Sequence, residues 1–137
     1  MSKRILTAPL RNLLLAAAAA SLAGCGKSAD PLPQTQPVKG KVVYQGGAPV
    51  AGASVRFQSK SDITVTVSAT TGEDGTFALR TMREGLTADG APEGQYRVTV
   101  TPPDSGDQMT VPTTFKEPYT VKPGGSEFTL EINRSGR

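Results

Sequence analysis

The chain has no histidine, no tryptophan and one cysteine among its 137 residues, and aromatic side chains make up only 5% of it. Without histidine, neither a His-ligated zinc centre nor a Ser–His or Cys–His nucleophile pair can be assembled from this chain. A lone cysteine closes no intramolecular disulfide, so a folded core must stand on apolar burial and sheet pairing alone. Acidic residues are missing from the N-terminal stretch: all 12 Asp and Glu follow Cys25, whereas Lys3, Arg4 and Arg11 precede it. The other 12 Lys and Arg balance those acids, so the net charge of +3 and the pI near 9.2 both come from the first 24 residues. Nothing after residue 24 supports a nucleic-acid or other polyanion partner.

Those first residues run through three zones in the order of a secretory signal: positive charge, an apolar run from Leu13 to Gly24 broken only by Ser21, then small residues. Spanning a bilayer takes about 20 apolar residues, so the run is too short for an anchor and reads as the core of a cleaved signal peptide over residues 1–24. It ends in Leu22-Ala23-Gly24-Cys25, which resembles the lipobox of bacterial lipoprotein precursors. That resemblance implies a diacylglyceryl thioether on Cys25, cleavage between Gly24 and Cys25, and acylation (palmitate-type) of the new amine. The residue types suit the chemistry, since the thiol is the nucleophile and small neighbours let the backbone enter a membrane-embedded enzyme. An unpaired thiol is otherwise unusual in an exported protein. The expected location is therefore the cell envelope, anchored by lipid to a membrane. Gly26 stands where some lipoproteins carry an inner-membrane retention aspartate, which favours an outer membrane where the cell has one.

Removing 24 of the 137 residues leaves a single domain's length. Residues 25–37 comprise the lipidated cysteine and a Pro-rich stretch, GKSADPLPQTQP, without periodicity, and read as a flexible tether. Twelve extended residues reach roughly 40 Å, enough to lift a domain clear of lipid headgroups. From Val38 the apolar period is two. Val38, Gly40, Val42 and Tyr44 alternate with polar residues, as do Ala53, Val55 and Phe57, then Ile63, Val65, Val67 and Ala69. Phe77 and Leu79 form a short strand, followed by Tyr96, Val98 and Val100, and finally Phe128, Leu130 and Ile132. Such alternation marks strands with one buried face. Gln45-Gly46-Gly47 and Gly72-Glu73-Asp74-Gly75 supply turn chemistry between them. Six strands, with a seventh at Tyr119 to Val121 and no helix, predict an all-β, immunoglobulin-like or prealbumin-like sandwich over residues 38–133, with 134–137 as a tail.

The ordered set Val38-Lys39-Gly40-Lys41-Val42, Pro49-Val50-Ala51-Gly52-Ala53-Ser54-Val55, Thr71-Gly72-Glu73-Asp74-Gly75-Thr76-Phe77 and Gly94-Gln95-Tyr96-Arg97-Val98-Thr99-Val100 resembles the carboxypeptidase regulatory-like domains. These share a transthyretin-like sandwich, and single-domain lipoproteins of this kind are abundant in planctomycete-type bacteria. The tail Val121-Lys122-Pro123-Gly124-Gly125-Ser126-Glu127-Phe128 fits that group too. Physically these motifs are tight turns that deliver a small or aromatic residue to a core. Tyr96 at a strand start has its hydroxyl placed to bond back to loop backbone, as in a tyrosine corner.

The family is named for an accessory module of metallocarboxypeptidases, but no catalytic zinc domain is present in this sequence. Related transthyretin-like hydrolases depend on histidines that this chain lacks, so that activity does not carry over. No catalytic residue, metal or cofactor is expected. Glu73 and Asp74 offer two carboxylates on a turn, too few for calcium's six to eight oxygens. Related pilin-type sandwiches carry Lys–Asn isopeptide crosslinks; Lys39, Lys41 and Asn133 are the candidates, but they lie out of phase with the apolar positions and should face solvent. Two stretches, Thr81 to Gly94 and Pro102 to Pro118, read as long loops, where binding on sandwiches usually sits. The second carries Phe115, Lys116 and Tyr119 as a candidate ligand or partner surface, or as a cap on the open end of the core.

These readings predict a non-enzymatic, membrane-anchored module that binds an envelope protein or glycan, or serves structurally. The alternative the resemblance implies is an accessory subunit that stabilises or positions a separate envelope enzyme such as a peptidase. A small hydrolase built only on carboxylates and Arg or Lys is a weaker third reading.

Overall fold

The computed structural model describes residues 30–104, 106 and 110–134. The signal peptide, Gly24 and Cys25 lie outside the described residues. Within them the protein is an all-β sandwich with no helix.

The long sheet contains β3 (Ser54–Ser59), β4 (Thr66–Thr70), β6 (Arg80–Arg83), β7 (Leu86–Asp89) and β9 (Gly94–Thr101) in the order β9-β3-β4-β6-β7. Its far edge is formed by β10 (Thr113–Thr114) and β11 (Tyr119–Val121), both paired with β9. The short sheet is β12-β2-β5, from Ser126–Ile132, Val38–Tyr44 and Thr76–Ala78. A two-stranded ladder joins β1 (Thr35–Gln36) to β8 (Ala91–Pro92). The first and last long strands, β2 and β12, run parallel in register from Val38↔Ser126 to Tyr44↔Ile132.

Alternation governs which side chains meet. Val38 and Val42 from β2, Val55 and Phe57 from β3, Tyr96, Val98 and Val100 from β9, and Leu130 and Ile132 from β12 are all buried. Burying each such side chain stabilises by about 1.5–3 kcal/mol. The two turns foreseen from glycine also form, but each carries the chain from one sheet to the other. After Gly46 and Gly47, both at positive φ, the chain pairs back on β2 only at Val43↔Pro49 and the Val50 N–H···Val42 O bond of 2.9 Å. It then crosses to β3. Likewise the turn ending at Gly75 (φ 77°) leads from β4 in the long sheet to β5 in the short one.

Three sequence expectations are corrected. The stretch Thr81 to Gly94 is not a long loop but mostly the β6–β7 hairpin, closed at Glu84-Gly85 with φ of 46° and 84°. Its inward-facing Thr81, Arg83 and Ala88 present no apolar alternation, which is why the period is silent there. Ile63 is 84% exposed rather than on a buried face. Asp62 Oδ1 accepts from both Thr64 N and Thr64 Oγ1, at 2.9 and 2.6 Å, so the chain is still turning at Ile63 and the strand starts at Thr66. Lastly, the end of the expected tether is docked. Thr35 and Gln36 pair with β8, Thr35 Oγ1 donates to Asp89 O at 2.7 Å, and Arg83 reaches the Pro31 carbonyl.

Candidate functional site

The second expected loop, Pro102 to Pro118, runs at its C-terminal end into a broken edge strand that starts at Thr113. β10 pairs Thr113↔Val100 and Thr114↔Thr99, and the Phe115 N–H bonds the Val98 carbonyl at 2.9 Å. β11 then resumes with Tyr119↔Tyr96, two residues out of step with the earlier register. The surplus residues bulge outward, as they do where an edge strand carries extra length. Pro118, which has no N–H to give, lies within the bulge.

This bulge sorts the three candidate residues. Lys116 is exposed on it, whereas Phe115 and Tyr119 turn inward, half-buried, with ring centroids 5.7 Å apart and edge-to-face. Tyr119 also meets Phe128 of β12 at 5.2 Å, again edge-to-face, across the seam between the two sheets. Phe128 packs on Phe57 at 5.9 Å, and Phe57 in turn touches Phe77 and Tyr96. The aromatic chain thus runs from the centre of the core to one flank of the sandwich, where it is partly open to solvent. Burial raises the Tyr119 phenol above its ordinary value. Phe128 was legible only as a core residue, because its alternation matches Leu130 and Ile132 and nothing in the sequence marks its half-exposed position.

Deeper in the same core, Tyr96, paired directly with Tyr119, is 1% exposed. Its hydroxyl donates to the Pro92 carbonyl at 2.6 Å, the bond expected of a tyrosine corner. Burial, with the Asp62 carboxylate contributing, pushes this phenol up to about 12. Arg83 and Asp62 form a 2.6 Å ion pair that ties the β6–β7 hairpin to the turn after β3.

The remaining sequence candidates find structural roles. Asp74 Oδ1 accepts from Thr76 N and Thr76 Oγ1 at 3.1 and 2.7 Å, which holds its carboxyl below the usual range. Among the described residues no three His, Cys, Asp or Glu side chains come together as a metal site. Lys39 and Lys41 face outward on β2, opposite Glu127 and Thr129, and Asn133 lies beyond the last β12 pair, Ile132↔Tyr44. An isopeptide crosslink needs a buried, adjacent pair, and this arrangement supplies neither.

Neither a protein-family model nor a curated protein sequence matches the chain. Among solved structures it is similar to BcpA, the major pilin subunit of Bacillus cereus, at 16% identity and a TM-score of 0.49. That likeness covers 75% of this chain and 31% of the pilin, so the chain spans less than a third of that protein's length.

Proposed function

We propose that this chain is the precursor of a bacterial lipoprotein, anchored in the cell envelope through Cys25 and presenting a non-catalytic sandwich of the carboxypeptidase regulatory-like type as a binding or structural module. The observation that carries the reading is Leu22-Ala23-Gly24-Cys25, with the chain's sole cysteine set directly after an apolar run too short to span a membrane. The non-catalytic part is supported by the absence of histidine from the whole sequence and by the use of the Asp62 and Asp74 carboxylates in hydrogen bonds to neighbouring threonines. The family assignment is supported by the ordered turn-and-strand motifs between Val38 and Phe128.

The anchor is tested by Cys25→Ala in cells supplied with labelled palmitate. The wild-type chain should take up label and partition with membranes at the mass of the processed form. Cys25→Ala should lose the label and keep its N-terminal segment. A Cys25→Ala protein still membrane-bound at the processed mass would overturn the reading. The binding role is tested by crosslinking in native envelopes, where a neighbour recovered reproducibly with the wild-type chain is expected and none would favour a purely structural role.

A further inference from the structure

Among the described residues, the seven-residue strand β12 hydrogen-bonds on one side only, to β2. The ladder's phase shows which backbone groups remain free. Ser126 N donates to the Pro37 carbonyl and Gln45 N to the Ile132 carbonyl. In a parallel ladder alternate residues of a strand bond the same neighbour, so residues 126, 128, 130 and 132 serve β2. The N–H and C=O groups of Glu127, Thr129 and Glu131 therefore point away from it, along an open edge. The other free edges are poorer templates. β5 has three residues, β7 has four with Asp89 O already taken by Thr35, and β10 and β11 have two and three, separated by the bulge. A long, regular, proline-free edge is the feature that accepts an added strand.

Side chains along β12 define what would fit. On the inward face Phe128 is half-buried and meets Tyr119, which meets Phe115, so three partly open rings line the seam beside the edge. On the outward face Glu127 and Glu131 stand four residues apart with Thr129 between them, all exposed. A second copy of β12 is a poor occupant. Full-register antiparallel self-pairing centred on Thr129 sets Glu127 of each copy against Glu131 of the other, and like charges directly opposite destabilise a sheet.

We propose that β12 is a strand-addition site for an extended peptide segment of a protein partner, patterned basic–apolar–any–apolar–basic, so that its basic residues lie opposite Glu127 and Glu131 and its apolar residues enter the aromatic seam. This deepens the binding-module reading and rests on it, but does not depend on the lipid anchor.

The test uses the full-length chain in detergent and a labelled seven-residue peptide, Ser-Lys-Val-Thr-Val-Lys-Ser, with Glu replacing both Lys in the control. Binding should slow amide exchange at Glu127, Thr129 and Glu131 selectively, and the control should bind about tenfold more weakly. Thr129→Pro removes one outward N–H without touching the β2 ladder, a position where an edge strand tolerates proline, and should abolish that protection. Should Thr129→Pro fail to fold, Glu127→Lys with Glu131→Lys is expected to reverse the preference between the two peptides. Protection elsewhere, equal binding of both peptides, self-association that protects the same amides, or no binding would overturn the proposal; in the last case Glu127 and Glu131 serve only to keep the edge unpaired. An envelope neighbour captured equally by wild type and Thr129→Pro would sink strand addition while leaving the binding-module reading intact, whereas no captured neighbour would sink both.

Discussion

Tyr96 is held at two points: its ring packs 5.8 Å from Phe57 in the core, and its hydroxyl donates to the Pro92 carbonyl just before β9 begins. Ionising that phenol would break the bond and place a charge in the core beside Asp62, which is why its folded-state value lies near 12 instead of 10. The sign of the linkage follows. The folded state keeps its proton longer than the unfolded chain, so the contribution is fully present below pH 10 and is lost as pH rises from 10 through about 12. Thermal melts across that window should show Tm falling. Tyr96→Phe should flatten the fall while lowering stability at neutral pH by about 1–2 kcal/mol, because the Pro92 carbonyl loses its partner. Tyr119, whose phenol is also raised by burial, should leave a smaller residual slope in the variant; an unchanged slope would show that Tyr96 does not titrate in this range.

At the scale of elements, what could be read from sequence tracks whether a strand's inward positions are apolar. β2, β3, β9 and β12 all carry Val, Phe, Tyr, Leu or Ile on their buried faces and were legible by period. β6 and β7 were not, because Thr81, Arg83 and the small Ala88 face inward, and Thr81 and Arg83 are held there by polar contacts. Thr81 Oγ1 donates to the Gly90 carbonyl at 2.7 Å, and Arg83 spans Asp62 and Pro31. Glu84-Gly85 was the available signal, since two residues at positive φ close a tight hairpin. The half-exposed end of the aromatic chain was only partly legible. Phe115 and Tyr119 stood out as aromatics in a polar stretch, but their partner Phe128 comes from a different sheet and follows an ordinary core pattern.

The docked end of the tether depends on one close approach at the same hairpin. Gly90 is buried at φ 90°, and a methyl there would collide with the Gln36 carbonyl. Gly90→Ala should therefore release β1, seen as faster amide exchange at Thr35 and Gln36, with exchange along β2 and β12 unchanged. Gly85→Ala is the control. It has the same kind of backbone but open space around it, so it should cost about 1–2 kcal/mol of conformational strain without freeing β1. Equal release by both variants would mean that the hairpin, rather than the contact with Gln36, holds the tether in place.

Over the whole molecule, the decisive contact is between the two ends of the domain. No local pattern reveals that β2 and β12 are neighbours, since alternation shows which face of a strand is buried but not which strand lies beside it. Their parallel pairing closes the chain between Val38 and Ile132, and loop-closure entropy must be met before such a contact yields stability. The β3–β4 and β3–β9 ladders form over shorter separations and bury Phe57 and Val98 without β12. The expected order is that the long sheet assembles first and β12 docks late. Leu130, fully buried on β12, reports on this. Leu130→Ala should cost about 2–5 kcal/mol, with nearly all of the change in a faster unfolding rate, whereas Val98→Ala on β9 should slow folding. Stopped-flow refolding of the two variants separates them, and a Leu130→Ala protein that folds slowly while unfolding at the wild-type rate would place the β2–β12 closure in the folding nucleus instead.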